Sequence, residues 1–343
     1  DFITDGELDW EDMGEVYDRI YLGDNAYDIV KGFESFREKM HGYFPQEKDA
    51  INEYLEKVIA TVKKAQTFFA EKAVPPFVSA LVGGMMRRGA FKESQHTTRE
   101  VLESITSNQE LIGVLTGQWG DYGLPPAQSS FFIHAMLVAH FIRGAAYPIG
   151  GASRIAETVL PVIERSGGEI VTNAEVAEII VEGGDAVGVR LVDGHELRAP
   201  VIISNAGAIN TFERLVPSDA AKAAGYAKMA EQLGSSVAHL CLYVGLKGSN
   251  DELRLEKTNH WVYPSYRHEE NFARFKEDLN APFPLVYLSF PSAKDPDFSR
   301  RHPGHSTIEA LTLGPYDKFK AWENTSWKKR GTEYDELKAS LSE

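Results

Sequence analysis

Small side chains gather at two places where a ligand could meet the main chain. Ser204-Asn205-Ala206-Gly207 closes the wholly apolar run Val201-Ile202-Ile203. With nothing bulky standing off such a turn, a ligand can approach its backbone. Gly150-Gly151 precedes a segment with Ile155, Val159, Val162 and Ile163 on one side. Titratable residues point nowhere as clearly. His134 and His140 are six apart, which does not place them on one helix face for joint metal binding, so each reads as a hydrogen-bonded core or pocket-lining histidine. The chain has no G-x-G-x-x-G, Walker loop, H-E-x-x-H, C-x-x-C or G-x-S-x-G. No residue type or spacing compels a catalytic acid, base or nucleophile, and no metal site is expected.

The elements that would carry these turns follow from periodicity. Ile51, Leu55, Val58, Ile59, Val62 and Ala65 keep the helical repeat, and Pro75-Pro76 ends that helix. Residues 75–91 read as a short core helix broken at Gly83-Gly84, with Arg87 and Arg88 complementing its dipole. A Met-bearing surface that touches lipid is the sharper alternative. Thr97 or Thr98, and then Ser107 or Asn108, cap two further helices. Residues 128–145 are apolar almost all round and read as a buried helix. Tyr17 to Leu22 reads either as an edge strand near a ligand or as ordinary packing, and packing is the preferred reading. After Gly150-Gly151 the order is a helix containing Pro161, strands at Ile170-Val171 and Val176–Glu182, a hairpin turned at Asp193-Gly194, and a strand at 201–203 covered on both faces. Residues 208–234 look helical and connective. Strands are expected at 237–244, 260–266, 284–290 and 306–314, with a polar loop at 291–306.

The bulk numbers exclude some functions. With 343 residues, 43% of them apolar, the chain can bury a core without a staple. Acidic residues number 50 against 36 basic ones, a net charge of −14 that disfavours nucleic acid. The one cysteine, Cys241, lies in AHLCLYV and reads as a buried structural thiol. No run is long and apolar enough to cross a bilayer, and the first residues lack a signal-peptide pattern. A cytoplasmic place, or one peripheral to a membrane, follows. The acidic start and the unfinished helix at the end read as the edges of an excised piece.

Taken together, several segments resemble one family. They are LDW at 8–10, Phe44-Pro45, Asp121-Tyr122-Gly123, S-x-F-x-H-A at Ser130–Ala135, Y-P-x-G-G at Tyr147–Gly151, SNAG with Asn210-Thr211, Leu246-Lys247-Gly248, F-P-S-x-K-D-P at Phe290–Pro296 and Lys329–Gly331. In them the chain is similar to the flavin-dependent phytoene desaturase, carotenoid isomerase and retinol saturase family. The resemblance implies a mixed α/β (α+β) chain, part of an FAD-linked reductase fold with a helical and mixed-sheet substrate domain. It implies helical substrate-domain residues 1–145, the middle of the flavin domain at 146–234, and substrate-domain sheet and helices at 235–343. It further implies FAD held near the backbone of Val176 and at Ser204, Asn205, Ala206 and Gly207, with Gly150 and Gly151 as a third contact. The implied reaction reduces or desaturates a conjugated polyene, with NAD(P)H a candidate electron donor and peripheral membrane contact a further expectation. Isomerisation without net redox, or non-catalytic binding of prenyl groups or other lipids, are the alternatives. His134, Tyr147 and Tyr122 are conceivable proton donors. The family's glycine-rich loop and a second flavin segment fall outside these 343 residues, so this chain alone is expected to hold FAD weakly or not at all and to be inactive.

Overall fold

The computed structural model describes residues 2–226, 237–326 and 328–342. The chain divides into two units, one of residues 1–158 with 237–343 and one of residues 159–236.

The larger unit is built on a six-stranded sheet in the order β3-β2-β9-β10-β11-β8. Its strands are β2 (Val16–Leu22), β3 (Asn25–Val30), β8 (Ala238–Lys247), β9 (Asn259–Tyr263), β10 (Val286–Ser289) and β11 (His305–Gly314). Only the β2–β9 pair is parallel. A small ladder joins β1 (Trp10–Asp12) to β4 (Ala146–Pro148). The four later strands lie where β-branched and aromatic runs place them. Tyr17–Leu22 is not an edge: β2 is hydrogen-bonded on both sides, because β9 returns from more than 230 residues away to pair with it. Tyr17, Ile20, Trp119, Trp261 and Tyr263 are buried beside one another in the main core.

Helices cover this sheet. α1 (Phe33–Tyr43) leads into α2 (Lys48–Lys72), whose Ile51, Tyr54, Leu55 and Val58 are fully buried at the helical repeat. α3 (Pro76–Ser94) packs on α2 and runs unbroken through Gly83-Gly84. Gly83 serves a close approach instead: a Cβ there would come within 2.8 Å of the buried Glu71 carboxylate. Thr97 forms a capping box with Glu100 at the start of α4 (Thr98–Glu103), and Asn108 caps α5 (Gln109–Leu115). α6 (Phe131–Phe141) is shorter than its apolar run, with Ile133 and His140 exposed. Cys241 is also exposed, since β8 is the outer strand of the sheet. α7 (Ser153–Arg165) continues through Pro161.

The smaller unit holds the meander β5 (Val176–Glu182), β6 (Asp185–Leu191) and β7 (Glu196–Arg198), as the turn residues foretell. A π-helical turn at Asn210–Leu215 and a helix at Ser218–Ala223 follow. Residues 227–234 of the expected connective helix lie outside the described residues. Two expected strands do not form. Ile170-Val171 and Val201–Ile203 lack a ladder, and Val171, Val201 and Ile203 are 56%, 69% and 89% exposed. β-propensity alone does not make a strand; a neighbour must accept its hydrogen bonds, and no described strand does so here.

Candidate functional site

In the smaller unit the SNAG turn stands at the rim of a groove of about 610 Å³. Ser204, Asn205 and Gly207 line it beside Ile179, Ile202 and Phe212. Ser204 Oγ lies 2.6 Å from Thr211 Oγ1, and Asn210 Nδ2 donates to the Ala206 carbonyl at 2.9 Å. Both contacts lock the turn onto the π-helical segment. Gly207 has φ 87°, a conformation that side chains resist. Val176 opens β5, an outer strand of the meander, so half of that strand's main-chain groups face away from the ladder. Among the described residues no lysine or arginine lines the groove. These residues fit the neutral adenosine end of a dinucleotide. They supply neither a cation nor a glycine-rich helix start for its pyrophosphate.

Gly150 and Gly151 belong to the larger unit and form a different kind of turn, with φ 93° and 92°. Their amides are already engaged. Gly150 donates to Asp295 Oδ1 at 3.0 Å, and Gly151 donates to the Pro148 carbonyl at 3.0 Å. Asp295 is 3% exposed and also pairs with Arg301.

That carboxylate leads to a polar row that sequence reasoning missed. Asp18, Asn259, Ser289 and Glu309 fall on one face of the sheet, set there by the register of β2, β9, β10 and β11. Asp18 accepts from Gln118 Nε2 at 2.6 Å, Asn259 Nδ2 at 2.8 Å and Trp261 Nε1 at 3.1 Å. Burial raises its pKa in spite of those donors. Lys294, 4% exposed, donates to Ser289 Oγ at 2.7 Å and to Asn259 Oδ1, with its ammonium 5.8 Å from the Tyr147 ring. Burial brings Lys294 down to about 8, while the charges of Asp18 and Glu309 hold it from falling further. Asp121 reaches solvent, yet protein surrounds most of it; that burial and the charge of Asp18 lift its carboxyl to about 7. The available signal was F-P-S-x-K-D-P, a lysine–aspartate pair directly after a strand.

The proton-donor candidates separate clearly. His134 is buried between Tyr54 Oη (2.9 Å from Nε2) and Tyr122 Oη (3.3 Å from Nδ1), and burial lowers its pKa to about 3. It is a neutral core histidine. Burial raises the Tyr122 hydroxyl. Tyr147 is half-buried and raised, first by burial and then by Glu309 and Asp295. Among the described residues no cluster could hold a metal ion.

No family model matches the chain. Over all of its length it is 33% identical to all-trans-retinol 13,14-reductase of Homo sapiens, of which it covers 59%. It is 31% identical, over 98% of its length, to a Danio rerio protein named inactive all-trans-retinol 13,14-reductase, of which it covers 58%. Prolycopene isomerases and a phytoene desaturase are more distant relatives. The chain belongs to the retinol reductase, carotenoid isomerase and phytoene desaturase family. A crystal structure of an oxidoreductase from Methanosarcina mazei, 17% identical, aligns with a TM-score of 0.60 over 93% of this chain and 64% of its own, and so shares the fold. The family member described here therefore spans somewhat under two thirds of the length of the retinol reductases it matches.

Proposed function

We propose that the chain is the central part of a flavin-dependent oxidoreductase that saturates a double bond of a retinoid-like polyene. The observation that carries this reading is similarity to all-trans-retinol 13,14-reductases along the whole chain. When bound, FAD would supply the hydride equivalent, with NAD(P)H as the candidate source of electrons. In this reading Val176 and Ser204–Gly207 hold the adenosine end, and Gly150-Gly151 is a structural turn kept in place by Asp295. Saturation also consumes a proton. His134 is neutral and locked between Tyr54 and Tyr122, both packed into the core, so half-buried Tyr147, with the Lys294 ammonium 5.8 Å from its ring, is the proton donor in this reading.

The test is mass analysis of product from the intact protein incubated with all-trans-retinol and a reductant. A gain of two hydrogens is expected. An unchanged mass with altered double-bond geometry would move the assignment to an isomerase. A colourless protein that binds the polyene without converting it would make it a non-catalytic relative, a role the inactive Danio rerio protein brings forward. Neither binding nor conversion of any polyene would sink the reading. A separate titration of these 343 residues with FAD is expected to show no binding tighter than about micromolar, because the groove's described residues offer no cation to the pyrophosphate and the chain has no G-x-G-x-x-G loop.

A further inference from the structure

The outward face of α3 breaks the rule that a helix hides its apolar stripe. Its exposed positions include Phe77, Ala80, Leu81, Gly84, Met85 and Arg88, the i, i+3, i+4, i+7 spacing that ordinarily marks the buried side. Phe77 is 70% exposed, Leu81 83% and Met85 76%. The opposite face already packs on α2, with Gly83 and Ala90 buried, so the stripe is a second apolar surface and not a misplaced core. Phe69, near the end of α2, adds a half-exposed ring to the same hairpin.

Charge says what covers it. The whole chain carries −14, yet residues 72–92 hold four basic side chains and no acidic one. The two flanking carboxylates are neutralised. Glu71 is buried against Ser79 with Lys72 3.0 Å and Arg87 3.9 Å away, and Glu93 pairs with Lys64, so of the four cations Arg88 and Lys92 stand clear of both carboxylates. Arg88 and Lys92 are exposed at the end of the apolar stripe. Large exposed aromatic and aliphatic side chains followed by cations suit the boundary between acyl chains and anionic headgroups. No helix among the described residues is long and apolar enough to cross a membrane, which leaves α3 to lie in the plane of the surface. We propose that the α2–α3 hairpin docks this protein on an anionic lipid bilayer, with Phe77, Leu81 and Met85 seated among the acyl chains and Arg88 and Lys92 on the headgroups.

Co-sedimentation with phosphatidylcholine vesicles, with and without phosphatidylserine, tests it. The protein is expected to partition onto the serine-lipid vesicles. The triple variant Phe77→Ser, Leu81→Ser, Met85→Ser should bind at least about a hundredfold more weakly, with an unchanged melting temperature. The double variant Arg88→Glu, Lys92→Glu should lose about tenfold or more on anionic vesicles and little on neutral ones. If the triple variant melts early, the charge reversal decides alone. Vesicle binding that survives both variants, or an unaltered protein that ignores anionic vesicles, overturns the proposal. Self-association abolished by the triple variant, with no vesicle binding, would assign the stripe to a second copy of the chain.

Discussion

The two units differ in how completely they pair their β-branched runs: the smaller one buries Ile179 and Ile180 on β5 but leaves two other runs without a ladder. In the larger one, Ile20 and Ile29 sit on strands with neighbours and are 1% and 3% exposed. In the smaller one, Ile170 and Ile203 carry the same side chain on unpaired main chain and are 51% and 89% exposed. Residue type does not separate these cases. What separates them is whether another segment supplies a ladder at 4.7–4.9 Å and a face to pack on. The larger unit finds its partners far along the chain, as β2 does in β9. The smaller unit finds its partners locally, in hairpins, and leaves open the two runs that hairpins cannot serve.

Truncation should expose this difference most strongly. Leu55→Ala removes a fully buried side chain between helices of the larger unit and is expected to cost about 3 kcal/mol. Ile203→Ala deletes a similar volume from an exposed segment and should fall within about 0.5 kcal/mol. Urea melts of both variants check it. A cost at Ile203 equal to that at Leu55 would mean that 201–203 is packed in solution and that the contrast fails.

Acid should find the larger unit first. His134 is neutral when folded, with a pKa of about 3 against about 6.5 when unfolded. Its contribution is therefore fully present above pH 6.5 and drains away as pH falls through the window from 6.5 towards 3. About 3 kcal/mol should go between pH 6.5 and 4. His134→Gln should flatten that slope, although His268, at about 4, keeps part of it. Identical acid slopes in the two proteins would show that His134 is not buried neutral.

Lys294 gives a slope of the same sign in an alkaline window. Its folded pKa, about 8, is depressed below that of a free lysine, so burying the ammonium opposes folding at neutral pH. The unfolded chain binds the extra proton between pH 8 and about 10.5, and stability attributable to this group should rise by about 2.5 kcal/mol across that window. The difference in unfolding free energy between the unaltered protein and Lys294→Met, followed from pH 7 to 10, reads it. A flat difference would place the ammonium in water, away from Ser289 and Asn259.

Much of this was open to a reader of the sequence, for a local reason. The apolar repeat of α2, the Thr97–Glu100 capping box and the Asp193-Gly194 turn are decided by residues within one or two turns of chain. The SNAG turn was legible too, because small residues after an apolar run are a local signal. The Asp18–Lys294 row was not. Lys294 sits in a polar, proline-bearing stretch that reads as solvated loop. Its burial depends on Asn259 and Ser289, which β-sheet register brings to it. The outward stripe of α3 was misread for the converse reason. Periodicity reports that a helix has an apolar face, but not whether anything covers it.

Ion pairs give the finest version of the comparison. In the larger unit the Asp295–Arg301 pair is buried on its carboxylate side and that carboxylate also holds the Gly150 amide, so its geometry is tied to the turn. In the smaller unit Arg190 reaches Glu178 and Glu196 across the three strands, and Arg198 reaches Glu182 and Glu196, all of them partly or largely open to water. Water and salt screen such contacts, and holding long side chains in place offsets most of what remains. Arg190→Met should therefore move the melting temperature by no more than about 2 °C, and the shift should shrink further in 1 M salt, where the Debye length is about 3 Å. A larger, salt-insensitive shift would show that the meander leans on this network as the larger unit leans on its core.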